Sequence, residues 1–166
     1  MQKYKLFCFI LLCDKYFACF DKKLVVYMKN TIFAVMKIII EGAGEIGSHL
    51  AKMLSNQAND ITVIDADETK LSKLASMSDV STIQGPSSSI KMLKEAGAAK
   101  ADLFIAVNPF TSQDVNVVSA LLAKKLGCRK VCARVDNEEF LSYENKYLFT
   151  EMGIDLMFHP EKIAAD

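Results

Sequence analysis

Beyond residue 35 the chain alternates two hydrophobic patterns. Short apolar runs rich in β-branched residues give way to stretches whose apolar positions recur every three or four residues. The runs predict strands over Lys37–Glu41, Ile61–Asp65, Ser81–Gln84, Leu103–Val107, Lys130–Val135 and Leu156–Phe158. The amphipathic stretches predict helices over Glu45–Asn56, Glu68–Ser76, Ser89–Glu95, Ser112–Leu126 and Asn137–Met152. Ile46, Leu50, Met53 and Leu54 share one face of the first helix, and Val115, Val118, Leu122 and Leu126 one face of the fourth. Gly97, Gly127 and Gly153 stand where helices should stop; Asp67 can cap the second helix, and Ser87 or Ser88 the third.

Strands alternating with helices over short links describe an α/β domain, a parallel sheet covered on both faces. Right-handed crossovers favour the Rossmann-like, doubly wound order 3-2-1-4-5-6. That order opens a ligand crevice at the carboxyl ends of strands one and four.

At that crevice the chain reads "EGAGEIGSHL", from Glu41 to Leu50. Gly42 can take the tight turn, Gly44 leaves room for a pyrophosphate against backbone N–H groups, and Gly47 allows the helix to pack closely on the strand. Phosphates would then meet the positive end of the helix dipole. A lone G-x-G-x-x-G is weak evidence, because glycine-rich turns are common. Here it follows a predicted strand, opens a predicted helix, and is followed eighteen residues past Gly47 by Asp65 at the next strand end. That context fits the dinucleotide fingerprint, with Ala43, Glu45 and Ile46 completing the candidate turn. Asp65 can accept hydrogen bonds from ribose hydroxyls and would repel a 2′-phosphate. No arginine follows at once in "VIDADETK", so NAD(H) is favoured over NADP(H). Asp67 reads better as a cap than as a ligand.

The other wall of the crevice comes from "AVNPFTSQDVN". Asn108 and Asp114 are candidate cofactor contacts there. Thr111, Ser112 and Asn116 offer further polar groups at a helix start, where capping is the plainer role for Ser112. Arg134 ends strand five on the ligand side and could bind a phosphate or pair with a carboxylate. Glu41 and Asp136 read as strand-end charges with no special role.

At 166 residues and 51% hydrophobic, the chain can bury one sizeable core. Its formal charge is zero, but residues 1–35 carry six Lys against two Asp while residues 36–166 carry fourteen Lys/Arg against eighteen Asp/Glu. An acidic domain without a basic stripe argues against nucleic acid as partner. Cys8, Cys13 and Cys19 and eight of the fifteen aromatics precede residue 36. The apolar run Leu6–Cys13 is short for a signal peptide, ends at Asp14 and lacks a small-residue cleavage site. Residues 1–35 are therefore expected to be an upstream leader before a start at Met36, the alternative being an apolar anchor. Cys128 and Cys132 read as reduced core thiols. No cysteine set has zinc spacing, and His49 and His159 are isolated.

The run "MKIIIEGAGEIGSHLAKMLS…DITVIDADETKLSKL" resembles the N-terminal RCK/KTN (TrkA-N) domain of the regulatory subunits of bacterial Trk potassium uptake systems. The likeness continues through "LKEAGAAKADLFIAV", "DVNVVSALLAKKLG" and "CARVDNEEFL", so it covers residues 36–166. It implies nucleotide binding at Gly42, Gly44, Gly47 and Asp65, with NAD(H) as ligand and ATP or ADP as competitors. It also implies a cytoplasmic homo-oligomer, peripheral at the inner face of the cell membrane and docked on a membrane-embedded, TrkH-like potassium-translocating subunit. RCK domains that favour ATP can carry an arginine where this chain has Glu45, which suggests selection for the dinucleotide. Two departures stand out. Many members read "GDAT" where this chain has "GPSSS", Gly85–Ser89, so a ligand contact there is in doubt. The family's C-terminal RCK domain and second copy are missing, as in a truncated chain.

A regulator without chemistry of its own is the reading these residues favour. The alternative is the cofactor half of an NAD-dependent dehydrogenase. It needs a proton donor or acceptor near the nicotinamide, yet the chain has no Tyr-x-x-x-Lys pair and neither histidine has an obvious acidic partner.

Overall fold

The computed structural model describes residues 35–57 and 59–159. The leader expected over residues 1–35 falls outside them except for Val35. Met36–His159 form one compact unit around a six-stranded parallel sheet in the order β3-β2-β1-β4-β5-β6. The strands are β1 (Lys37–Glu41), β2 (Asp60–Asp65), β3 (Ser81–Gln84), β4 (Leu103–Ala106), β5 (Lys130–Arg134) and β6 (Leu156–Phe158). This is the doubly wound order expected from the alternation of strands and helices.

Successive crossovers step one way from β1 to β3 and the other way from β4 to β6. Right-handed connections therefore put α1 (Glu45–Ser55) and α2 (Glu68–Met77) on one face, and α3 (Ile90–Glu95) and α4 (Gln113–Leu126) on the other. Because both faces are covered, the central strands are apolar throughout: Ile38, Ile39 and Ile40 are all buried. Burying each such side chain contributes about 1.5–3 kcal/mol. Side chains alternate between faces along a strand. Ile39, Phe104, Val131 and Ala133 accordingly share one core cluster with Leu93 of α3 and Ala120 and Ala123 of α4.

Capping chemistry sets most helix starts. Asp67 caps α2, its side chain accepting from Thr69 N–H and Lys70 N–H. Ser89, not Ser87 or Ser88, caps α3 by accepting from Met92 N–H, because Pro86–Ser89 closes a turn first (Ser89 N–H to Pro86 carbonyl, 3.0 Å). α4 begins after a 3-10 turn, Phe110–Ser112, and Ser112 occupies its N-cap position without a side-chain bond. α4 and the last helix end at Gly127 and Gly153, both with positive φ.

Two further expectations need correction. The helix expected over Asn137–Met152 is broken into α5 (Glu138–Leu141) and α6 (Tyr143–Met152). Ser142 takes an extended ψ of 149° and caps α6 by accepting from Asn145 N–H, a local bond that competes with helix continuation. The inward face of α4 is also centred to one side of its valine–leucine stripe, of which Leu122 and Leu126 pack, partly buried, against the core. Asn116, Ser119, Ala120 and Ala123 are buried, whereas Val118 is 47% exposed. Small residues let α4 lie close to β4 and β5, and the two polar ones among them reach partners described below. The other strand and helix bounds agree to within a residue or two.

Candidate functional site

The carboxyl ends of β1 and β2 build one wall of the crevice from backbone. Gly42 leaves β1 with φ of 101°, a left-handed conformation that only glycine adopts freely, while its N–H continues the sheet to the Ile64 carbonyl at 2.8 Å. A Cβ on Gly47 would lie 1.7 Å from the Gly42 carbonyl oxygen, so only glycine lets α1 start this close to the strand. Gly44 is different. It is the N-cap of α1 in an ordinary extended conformation, and a Cβ there would meet nothing within 4 Å. No side chain caps α1, so the N–H groups of its first turn are left without a side-chain partner next to that open space. These are the properties a pyrophosphate site needs: room, N–H donors and a helix dipole.

Asp65 ties this wall together. Its Oδ2 accepts from Ala43 N–H at 2.6 Å and its Oδ1 from Asp67 N–H at 2.8 Å, with 8% of the residue exposed. A carboxylate has about four acceptor positions, so capacity remains for ribose hydroxyls. Beyond its candidate ligand role, Asp65 holds the glycine turn to β2. Glu45 and Ile46 follow in the first turn of α1, Glu45 exposed and Ile46 half-buried.

The β4–β5 wall is built from side chains. Asn116 of α4, fully buried, accepts from Asn108 N–H at 3.0 Å and donates to the Asn108 and Arg134 carbonyls at 3.1 Å each. One amide thus clamps the chain leaving β4 to the end of β5. Gln113 does likewise for the next loop, its Oε1 accepting from Asp136 N–H and Asn137 N–H at 3.0 Å. Arg134, open between phosphate and carboxylate in the sequence, donates to Asp136 at 3.0 Å. Asp136 is therefore an ion-pair partner. Asp114 stands exposed in the first turn of α4, and Thr111 is exposed before it.

Glu41 is the largest departure from expectation. Far from being an idle strand-end charge, it is fully buried. The alternation that turns Ile39 toward α4 turns Glu41 the same way. Its Oε1 accepts from Asn108 Nδ2 at 2.6 Å, and its Oε2 accepts from the Ser119 hydroxyl. Ser87, from the "GPSSS" loop, is a third donor. Burial pushes the Glu41 carboxyl up to about 7; bonds from Ser119, Ser87 and Asn108 oppose that rise, and the Asp65 charge adds to it. The Asn108 amide that Glu41 holds also touches the glycine turn: its Oδ1 lies 2.9 Å from where a Cβ on Gly42 would be.

The geometry brings Gly42, Ala43, Gly44, Gly47, Asp65 and Asn108 together at one strand-end site. Comparison with known proteins bears on the family and the fold. The family model described as "TrkA-N domain" matches residues 38–160. The Trk system potassium uptake protein TrkA of Haemophilus influenzae is 38% identical over 133 residues, which are 79% of this chain but 29% of that protein. The chain thus spans under a third of that relative's length. Among solved structures, the TrkA-N domain of the inner membrane protein YbaL from Escherichia coli superposes with a TM-score of 0.66 at 18% identity, covering 81% of this chain and 94% of that one. The GsuK channel bound to NAD superposes with a TM-score of 0.60 at 16% identity, covering 76% of this chain and 22% of that one. GsuK bound to ADP gives 0.61 at 17% identity, covering 76% and 31%. At such identities these structures establish the fold alone. Fold, glycine turn and family match lead to one conclusion: the chain belongs to the TrkA-N domain family.

Proposed function

We propose that this chain is the nucleotide-sensing domain of a regulatory subunit for potassium uptake, binding NAD(H) at the glycine turn. The observation that carries the proposal is the open space over Gly44, faced by an uncapped helix start and bordered by Asp65. Gly42, Ala43, Gly44, Ile46 and Gly47 would hold the pyrophosphate, Asp65 a ribose, and Asn108 the opposite side of the ligand. Asp114 and Arg134 would contribute from the far wall, and Glu45 would face the terminal phosphate of ATP. ATP and ADP are competing ligands; a GsuK structure with ADP and another with NAD support both classes.

The relatives' naming as Trk potassium uptake proteins supports a regulator rather than a catalyst. Such a regulator works as a cytoplasmic homo-oligomer against a membrane-embedded, TrkH-like translocating subunit. A ligand shifts an assembly only through differential affinity for two states. The crevice, lying between the two halves of the sheet, is where NAD(H) would favour one geometry.

Calorimetric titration of the chain with NADH, NAD⁺, ATP and ADP tests this. Saturable binding of NADH is expected, and Asp65→Ala should weaken it by about 1–3 kcal/mol, the range for a charged hydrogen bond. Absence of binding by all four nucleotides would overturn the proposal.

A further inference from the structure

The buried carboxylate beneath the glycine turn has no place in the scheme above. Glu41 is the last residue of β1, immediately before Gly42, and is completely shielded from water. An isolated buried carboxylate is costly unless it is hydrogen-bonded, and this one is bonded by neutral groups. Asn108 donates from the chain after β4, Ser119 from α4, and Ser87 from the loop after β3. From β2, the charged group acting on it is Asp65, another acid. Among these neighbours there is no cation to hold the negative charge in place.

The site above it is a cradle for anions. Asn108 joins the two: its Nδ2 is on Glu41 and its Oδ1 is against Gly42. An ionised Glu41 can only accept, so it fixes the amide with the oxygen toward the turn. We propose that Glu41 is a positioning residue whose charge makes nucleotide binding at the glycine turn proton-linked: it orients the Asn108 amide, and an anionic nucleotide bound above draws a proton onto it from solvent. The inference rests on the nucleotide-binding reading and deepens it. Two like charges close together raise each other's cost of ionisation, and linkage makes the effect reciprocal. Nucleotide affinity then falls as pH rises through the titration of Glu41, whose burial places it near neutrality.

NADH is the suitable probe, because its two phosphate diesters keep fixed charges between about pH 6 and pH 8 whereas the terminal phosphate of ATP does not. Affinity of the unmodified chain should rise about three- to tenfold from pH 8 to pH 6, the effect of roughly one unit of coupling or less. Calorimetry in two buffers of different ionisation enthalpy should show uptake of part of a proton on binding. Glu41→Gln keeps an acceptor for Asn108 and a donor for Ser119 without the charge. It should bind NADH with one affinity at both pH values, near the low-pH value of the unmodified chain, and take up no proton. An equal pH slope and equal proton uptake in both proteins would overturn the inference while leaving nucleotide binding intact. No NADH binding by the unmodified chain at either pH would instead sink the nucleotide reading, and this inference with it. Without ligand, the Asn108 side-chain amide resonances should move with a midpoint near neutrality and stay fixed in Glu41→Gln; immobility in the unmodified chain would contradict the positioning role.

Discussion

The β1–β2 wall of the crevice is made of main chain, set by Gly42, Gly44 and Gly47 and tied by Asp65 to Ala43 N–H. The β4–β5 wall is made of side chains: Asn116 clamps Asn108 to Arg134, and Glu41 reaches across from β1 to Asn108 and Ser119. Backbone contacts at van der Waals limits leave one arrangement and fail abruptly when an atom is added. Hydrogen-bonded side chains around a titratable group have two charge states and respond gradually to pH. The two walls should therefore break in different ways.

The largest effect is expected on the backbone wall. Gly47→Ala sets a methyl 1.7 Å from the Gly42 carbonyl oxygen, and α1 must move off the strand. Overpacking against main chain should cost about 3 kcal/mol or more, read as a lower urea midpoint or as failure to fold. On the side-chain wall the expected change depends on pH. Glu41 keeps its proton up to about 7 when folded, against an ordinary value of 4.5. Between those values the folded state binds the proton and the unfolded chain does not. Its contribution to stability is therefore complete below pH 4.5 and is lost as pH rises through about 7, a difference of ~3 kcal/mol. Urea unfolding at pH 5 and pH 8 measures it, and Glu41→Gln should flatten that part of the profile. A backbone-limited mutant such as Gly47→Ala should keep the slope if it folds.

These walls also differ in how far they could be read from residues alone. Gly42, Gly44 and Gly47 carry their geometry in a six-residue spacing, and Asp65 follows from the end of the next apolar run. Sheet order followed from strand–helix alternation for the same reason: each link is local and its handedness fixed. Glu41, by contrast, meets partners 67 and 78 residues away in Asn108 and Ser119, and no spacing rule connects them. A trace of the network was present. Asn116, Ser119, Ala120 and Ala123 repeat at helical spacing, but the bulkier Val115, Val118, Leu122 and Leu126 stripe outweighed it. The break at Ser142 was hidden likewise, because a serine inside an amphipathic stretch can either ride the helix or cap a new one.

The smallest effect concerns Glu45, exposed at the start of α1. Its charge should favour NADH over ATP about tenfold, near 1.4 kcal/mol, by repelling a terminal phosphate through screened solvent. Glu45→Arg should narrow or reverse that preference, mainly by improving ATP binding in paired titrations at one salt concentration. Equal ATP affinities in the two proteins would reduce Glu45 to a charge on the helix dipole, worth about 0.3–1 kcal/mol.

The central claim is that the space over Gly44 receives the nucleotide, and Gly44→Ala tests it most directly. A methyl there meets no protein atom within 4 Å, and the backbone conformation suits alanine. Stability should change by less than about 1 kcal/mol, while NADH titrated into the folded variant by calorimetry should bind at least about tenfold more weakly than to the unmodified chain. A Gly44→Ala protein that is folded and binds NADH with unchanged affinity would contradict the account.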